Sequence, residues 1–311
     1  MPLPAETHIG YVHLKVRNLA RMVDFYVEKL GLRIAATEAH HTVHLSAHGE
    51  LPPHISLTQI PEASLPPRRS TGLYHLAIRF PTRHALARVF RHLIESEVHF
   101  QGFSDHKVSE AIYLADPEGN GVEIYTDKPR ELWPRKNGNI EMLTTALDMH
   151  KLLAELSDNE PPFTGIDPDA DIGHVHLKVS SLHRAEAFYH RLIGMRVTQR
   201  SYPGALFFAA GDYHHHVGAN IWLSAGAPPP SSHVTGLLAF SIHIPDPHAW
   251  FEIVERLEAN QRPIIHWIED THLLGVRTLD LDHLGVDLTL PRTPSSEALW
   301  QEAQELMTVS A

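Results

Sequence analysis

The feature that most limits how this chain can fold is that it repeats itself. The stretch HIGYVHLKVRNLARMVDFYVEKLGLRI, starting at His8, returns as DIGHVHLKVSSLHRAEAFYHRLIGMRV, starting at Asp171. Both read as an alternating strand, a polar cap, an amphipathic helix containing Phe-Tyr, and a Leu/Ile-Gly stop. A weaker pair is TGLYHLAIRFPTRHALARVFRHL from Thr71 and TGLLAFSIHIPDPHAWFEIVERL from Thr235. Short β-rich stretches follow each helix, among them HISLTQI, NGVEIYT, ANIWLSA and GVDLTLP. The chain therefore holds four strand–helix–strands modules, at roughly 8–65, 71–127, 171–228 and 235–291. The Phe25-Tyr26 and Phe188-Tyr189 pairs sit at helical spacing beside Leu and Val, which assigns them to core packing.

Along the chain, modules one and two fall in residues 1–130 and modules three and four in 171–311, with a linker at 131–170. The linker is expected to carry one helix, TTALDMHKLLAEL, between proline-rich coils, and SSEALWQEAQEL to form a closing helix. The expected fold class is α+β, with curved mixed sheets and helices outside.

Composition then removes whole classes of function. The 311 residues carry a formal net charge of −11 and no basic run, so nucleic acid is not an expected partner. No apolar run reaches the ~18 residues of a membrane span, and MPLPAETHIG lacks a basic start followed by an apolar core, so a cytoplasmic protein is expected. There is no cysteine, which excludes disulfides, thiolate ligands and a cysteine nucleophile. The 26 histidines favour imidazole–metal chemistry, but position has to decide which of them take part.

The strings GLYHLAI, SDHKVSEAIYLADPEGNGVEIYTDKP, GHVHLKV and GDYHHHVGANIW, in this order and spacing, resemble the two-domain catechol 2,3-dioxygenase branch of the vicinal oxygen chelate superfamily. The resemblance covers nearly the whole chain. It implies βαβββ modules paired into two cupped mixed β-sheets, with ligands on the first and last strand of the modules around one metal. First-strand places are Tyr11, His75, His174 and Ala239; last-strand places lie near Ser56, Glu123, Trp222 and Asp287. His75, Glu123 and His174 are the implied metal ligands, and Asp287 stands alone. Glu123 is flanked by Val122 and Ile124, and burying its carboxylate is costly unless it is paired or metal-bound. His75 by itself is equally readable as an ordinary strand histidine. His176 matches His13 in the repeat and belongs to the scaffold, whereas Tyr11 stands opposite His174. For one cup to hold all three ligands, module two must pair with module three, and module one with module four. The second cup is then expected to lack metal.

Two histidines and one carboxylate leave open positions on non-haem Fe(II) for substrate and O₂; Mn(II) prefers nearly the same ligands. The resemblance implies an extradiol dioxygenase that cleaves a catechol beside its hydroxyls, with Tyr113 as a donor to a substrate oxygen. His106, seven residues before Tyr113, is its candidate companion; Asp105-His106 is also readable as turn-forming. The run Tyr213-His214-His215-His216 enters a last strand where the dioxygenase branch carries an acid–base histidine. With a period of two, His214 and His216 share one face; His216 is the expected base, with His214 and His106 as alternatives, and which histidine of 214–216 or 106 takes the role stays open. Rival readings on the same fold are a redox-neutral glyoxalase-like metalloenzyme and a small-molecule binding protein. The ring substituents stay open, as does assembly into a homo-oligomer.

Overall fold

The computed structural model describes residues 3–38, 41–136 and 139–309. Each module is one βαβββ unit. Module one runs β1 (His8–Val16), α1 (Leu19–Asp24), β2 (Arg33–Glu38), β3 (Thr42–Ser46) and β4 (Ile55–Gln59). Module two runs β5 (Gly72–Phe80), α2 (Arg83–Glu95), β6 (Phe100–Asp105), β7 (Ser109–Ala115) and β8 (Gly121–Asp127). In the linker lie β9 (Arg135–Lys136), β10 (Asn139–Ile140), β11 (Thr145–Ala146) and α3 (Met149–Leu153). Module three comprises β12 (Asp171–Lys178), α4 (Leu182–Ala185), β13 (Arg196–Gln199), β14 (Ala205–Ala209) and β15 (Val217–Asn220). Module four comprises β16 (Gly236–His243), α5 (Pro247–Ala259), β17 (Ile264–Glu269), β18 (Leu273–Leu279) and β19 (Gly285–Pro291), followed by α6 (Pro294–Val309).

Among the described residues the modules form two large sheets, each taking one module from either side of the linker, while β9 and β10 pair as a separate two-stranded ribbon. The first has the order β17-β18-β19-β16-β1-β4-β3-β2, modules four and one; the second is β11-β6-β7-β8-β5-β12-β15-β14-β13, modules two and three. Within every module the first strand runs parallel to the last, and the two first strands of a pair meet antiparallel at the sheet centre. The central strands are apolar on the helix-facing side, where Leu76, Val122, Val175 and Val217 are fully buried.

The repeated Phe-Tyr pairs do pack in the core, and they also latch neighbouring modules. After α1 and α4 the helix widens into a π-turn segment that buries Tyr26 and Tyr189 completely. Tyr26 donates to Asp116 at 3.1 Å and Tyr189 to Asp280 at 2.9 Å, joining module one to two and three to four. Burial pushes both aspartates up to about 6.

Two local expectations are corrected. The linker helix spans only Met149–Leu153, because Thr145–Ala146 is taken up as an edge strand on β6 and Asp148 caps the helix through Lys151 N–H. The last strand of module three ends at Asn220, so Trp222 lies beyond it, 42% exposed, and does not hold a last-strand place.

Candidate metal centre

Three adjacent strands converge on one point. On β5, Ala77 pairs across with Glu123 of β8 and with His174 of β12, while His75 stands two residues earlier on the same face. The small side chain of Ala77 leaves room between the larger ones. A register shift between Ile172 and His174 marks a bulge at Gly173 that re-aims His174. Only glycine fits there, since a Cβ would lie 1.8 Å from the Tyr125 hydroxyl. The matching Ile-Gly in module one shifts register in the same way beside Tyr11.

His75, Glu123 and His174 are buried, and one ligand atom from each lies within 4.8 Å of the others. His75 Nε2 is 3.0 Å and His174 Nε2 3.2 Å from the same Glu123 oxygen, and the two nitrogens are 3.3 Å apart. Ligand atoms about 2.1–2.3 Å from a common ion, at right angles, lie about 3.0–3.3 Å apart. The donor set and its spacing therefore fit a divalent cation held on one face. Burial alone would push the Glu123 carboxyl up; the two imidazoles hold it well below the usual carboxylate range. Burial lowers His174 to about 4, so its imidazole is neutral, the form that can donate a lone pair to a cation.

The other cup carries a different solution at the corresponding place. Asp287 accepts Tyr11 Oη at 2.6 Å and a two-point guanidinium contact from Arg277 at 2.6 and 2.7 Å. Its carboxylate is thus neutralised by a side chain, the physical reason it stands apart from the triad.

The triad opens into a cavity of about 540 Å³, lined also by Tyr113, His106, His176, His215, Lys178 and Trp222. Tyr113 and His106 are brought together: Tyr113 Oη and His106 Nε2 are 2.6 Å apart. His106 Nδ1 is 3.2 Å from the Leu143 carbonyl, which can only accept, so Nδ1 carries the proton and Nε2 accepts from Tyr113. Burial and the nearby Glu123 raise the Tyr113 hydroxyl, keeping it a phenol, and burial lowers His106.

The histidine run differs from its expected pattern. β15 starts at Val217, and residues 211–216 form an irregular turn, so alternation does not apply to them. His216 turns away from the cavity; its Nδ1 accepts the Ala210 N–H at 3.2 Å and its ring packs on Tyr213. His214 is fully buried behind the cavity. The residue that lines the cavity is His215, whose ring lies 4.2 Å from that of His174 and 5.0 Å from Phe207. Sequence reasoning missed it, because no linear signal distinguishes three consecutive histidines in a turn.

A chain of hydrogen bonds sets the protonation of His215. Asp127 accepts from His214 Nε2 at 2.8 Å, so that nitrogen carries the proton. His214 Nδ1 then accepts from His215 Nδ1 at 2.7 Å, which leaves a lone pair on His215 Nε2. Burial and the neighbouring imidazoles push His215 well below its ordinary value, so it is neutral. Burial would raise Asp127, but His214 and Arg79 hold it below the usual range.

Comparisons with known proteins agree with this layout. The sequence model of the glyoxalase/bleomycin resistance protein/dioxygenase superfamily matches residues 8–124 and 171–289. A catechol-2,3-dioxygenase of Bacillus subtilis (strain 168) is 42% identical over 244 residues, covering 77% of this chain and 84% of the relative. A Bacillus subtilis protein solved as a candidate dioxygenase superposes with a TM-score of 0.61 at 12% identity, covering 100% of this chain and 97% of that one. Glyoxalase I from Zea mays gives 0.55 at 13%, covering 97% and 96%. At these identities the two structures speak for the fold.

Proposed function

The chain belongs to the glyoxalase/bleomycin resistance protein/dioxygenase superfamily, and from that premise we propose that it is an extradiol ring-cleaving dioxygenase acting on a catechol. The observation that carries the reading is the buried His75–Glu123–His174 face opening on a cavity that also holds Tyr113 and His215. In the reaction both atoms of O₂ enter the product and the ring carbon–carbon bond beside the two hydroxyls breaks.

His75, Glu123 and His174 would hold the metal, and a face of two imidazoles and one carboxylate suits Fe(II). When bound there, such a metal would supply the one-electron chemistry that lets ground-state O₂ react with an electron-rich ring. The chain's own residues bind the diol, orient it and move its protons. Tyr113 directs its oxygen towards the substrate side while donating to His106. A proton leaving the diol can thus pass to Tyr113 Oη as the tyrosine's own proton moves to His106 Nε2. His215, with a lone pair at Nε2, is the base on the other flank, and the same nitrogen returns the proton when the ring opens. His214 and Asp127 hold that tautomer. His216, the base expected from alternation, has no part in this scheme.

A glyoxalase-like reading needs acidic ligands on the last strands of both paired modules. The last strand of module three reads Val-Gly-Ala-Asn and offers no carboxylate. The deciding experiment is anaerobic reconstitution with Fe(II) followed by O₂ uptake with catechol and 4-methylcatechol. One O₂ per ring and a yellow ring-opened semialdehyde are expected. No uptake by iron-loaded protein across a panel of substituted catechols would overturn the reading.

A further inference from the structure

The motif His-Leu-Lys occurs twice in the repeat, as His13-Leu14-Lys15 and His176-Leu177-Lys178, and the two copies differ in how their polar groups are satisfied. In the cup of modules one and four, His13 Nε2 bonds Thr58 Oγ1 at 2.7 Å, and Lys15 donates to the Ser232 carbonyl at 3.3 Å. Both side chains are satisfied by the protein. In the cup of modules two and three, His176 is 4% exposed and its Nε2 has no hydrogen-bond partner. Nor does Lys178 have an ion-pair or hydrogen-bond partner among the described residues, although it is half-buried and burial lowers its ammonium from the usual range. A native structure rarely leaves a buried polar atom and a partly desolvated cation unpaired without a use for them.

Both residues line the cavity of the metal centre. His174, His176 and Lys178 alternate along β12, so they share one face and form a polar row from the metal ligand outward. The row spans about 13 Å from His174 to Lys178, at roughly 3.3 Å per strand residue. Among the described residues Lys178 is the only lysine or arginine lining this cavity, and the only carboxylate is that of Glu123, in the His75–Glu123–His174 cluster. Apart from Glu123, no carboxylate among the described residues lines the cavity with the ammonium. Tyr74 and Trp222 flank the row, their rings 5.3 and 5.5 Å from that of His176, giving apolar walls on which a ring substituent can lie. The volume of about 540 Å³ also exceeds the space a bare catechol fills.

We propose that Lys178, with His176, anchors an anionic substituent, a carboxylate foremost, on the ring-bearing substrate, so that the enzyme prefers carboxylated catechols to uncharged ones. This rests on the dioxygenase reading and names its substrate class. Lys178 supplies the charge, and His176 Nε2 a hydrogen bond to the substituent or to a water beside it. The diol lies at the metal end and the anion at the outer end, which also fixes which ring bond faces the metal centre.

The test compares 3,4-dihydroxyphenylacetate and 3,4-dihydroxybenzoate with 4-methylcatechol and catechol, using iron-reconstituted wild type, Lys178→Met and Lys178→Arg. In Lys178→Met the ratio of kcat/KM for carboxylated over uncharged substrates should fall roughly tenfold, the scale of one charge-assisted contact. The loss should lie in KM rather than kcat, and Lys178→Arg should recover most of it. A ratio in Lys178→Met within about twofold of wild type overturns the proposal. Calorimetric titration of the same compounds separates the two layers of the argument. Lys178-dependent binding of the carboxylates without O₂ uptake refutes the dioxygenase reading alone. Turnover without a Lys178-dependent preference refutes the anion site alone.

Discussion

Replacing Asp127 by Asn tests the hydrogen-bond chain behind His215 at one atom. The change is isosteric, and the neighbours decide which way the new amide points. Asp127 Oδ2 receives the Tyr213 hydroxyl at 3.0 Å and faces an Arg79 nitrogen at 3.5 Å. Both are donors, so the amide oxygen stays on that side and its NH₂ faces His214 Nε2, where a carboxylate oxygen had accepted at 2.8 Å. Two donors cannot meet. His214 therefore moves its proton to Nδ1, and the 2.7 Å bond to His215 reverses. His215 then accepts at Nδ1 and carries its proton on Nε2, where the base is needed. Losing a positioned base lowers turnover by roughly 10²–10⁴-fold, about 3–5 kcal/mol of barrier. The comparable substitution in the serine-protease triad acts through the same wrong-tautomer logic. The assay is initial O₂ uptake at saturating catechol, with iron content measured on the same samples. Full iron and a kcat within about threefold of wild type would refute the tautomer chain.

Three further outcomes follow from the same geometry. Glu123→Ala should lose bound metal, whereas Asp287→Ala should keep it while leaving Arg277 uncompensated; that costs about 3–5 kcal/mol and about 5–8 °C in melting midpoint, and metal lost from Asp287→Ala but kept in Glu123→Ala would show the ligand assignment wrong. His215→Phe should lower kcat by roughly 10²–10⁴-fold, while His216→Phe, which loses only the Ala210 contact and packing on Tyr213, should stay within about threefold; steady-state O₂ uptake separates them, and the reverse order contradicts the assignment. The Asp127 carboxyl is depressed below its ordinary 3.8 in the folded protein, against burial, by His214 and Arg79, so its contribution is present above the unfolded value and lost as pH falls through the folded one. The stability gap between wild type and Asp127→Asn in urea should therefore be full near pH 7 and shrink below about pH 4; a gap constant across that range contradicts it.

The fold and the clustering of His75, Glu123 and His174 were legible in the sequence, because the repeat marks the first and last strand of each module and the family resemblance implies which of those places carry ligands. Alternation along GLYHLAI and GHVHLKV fixes which side of a strand each residue takes, and the repeat fixes which strand is first in its module. Glu123 stands out since a carboxylate on an apolar strand must have a partner. Three residues on three strands, each read from its own module, then imply which modules share a sheet. Three features lay beyond that reasoning. His215 enters the cavity from a turn, where backbone conformation follows local packing and no period links residue number to direction. Thr145–Ala146 leaves the predicted linker helix because the edge of β6 offers its backbone hydrogen-bond partners that a short isolated helix lacks. Lys15 and Lys178 are identical in their motifs, yet one finds a carbonyl and the other has no partner among the described residues. A strand pattern encodes a residue's side of its own sheet; what stands opposite is decided by how the modules and loops dock.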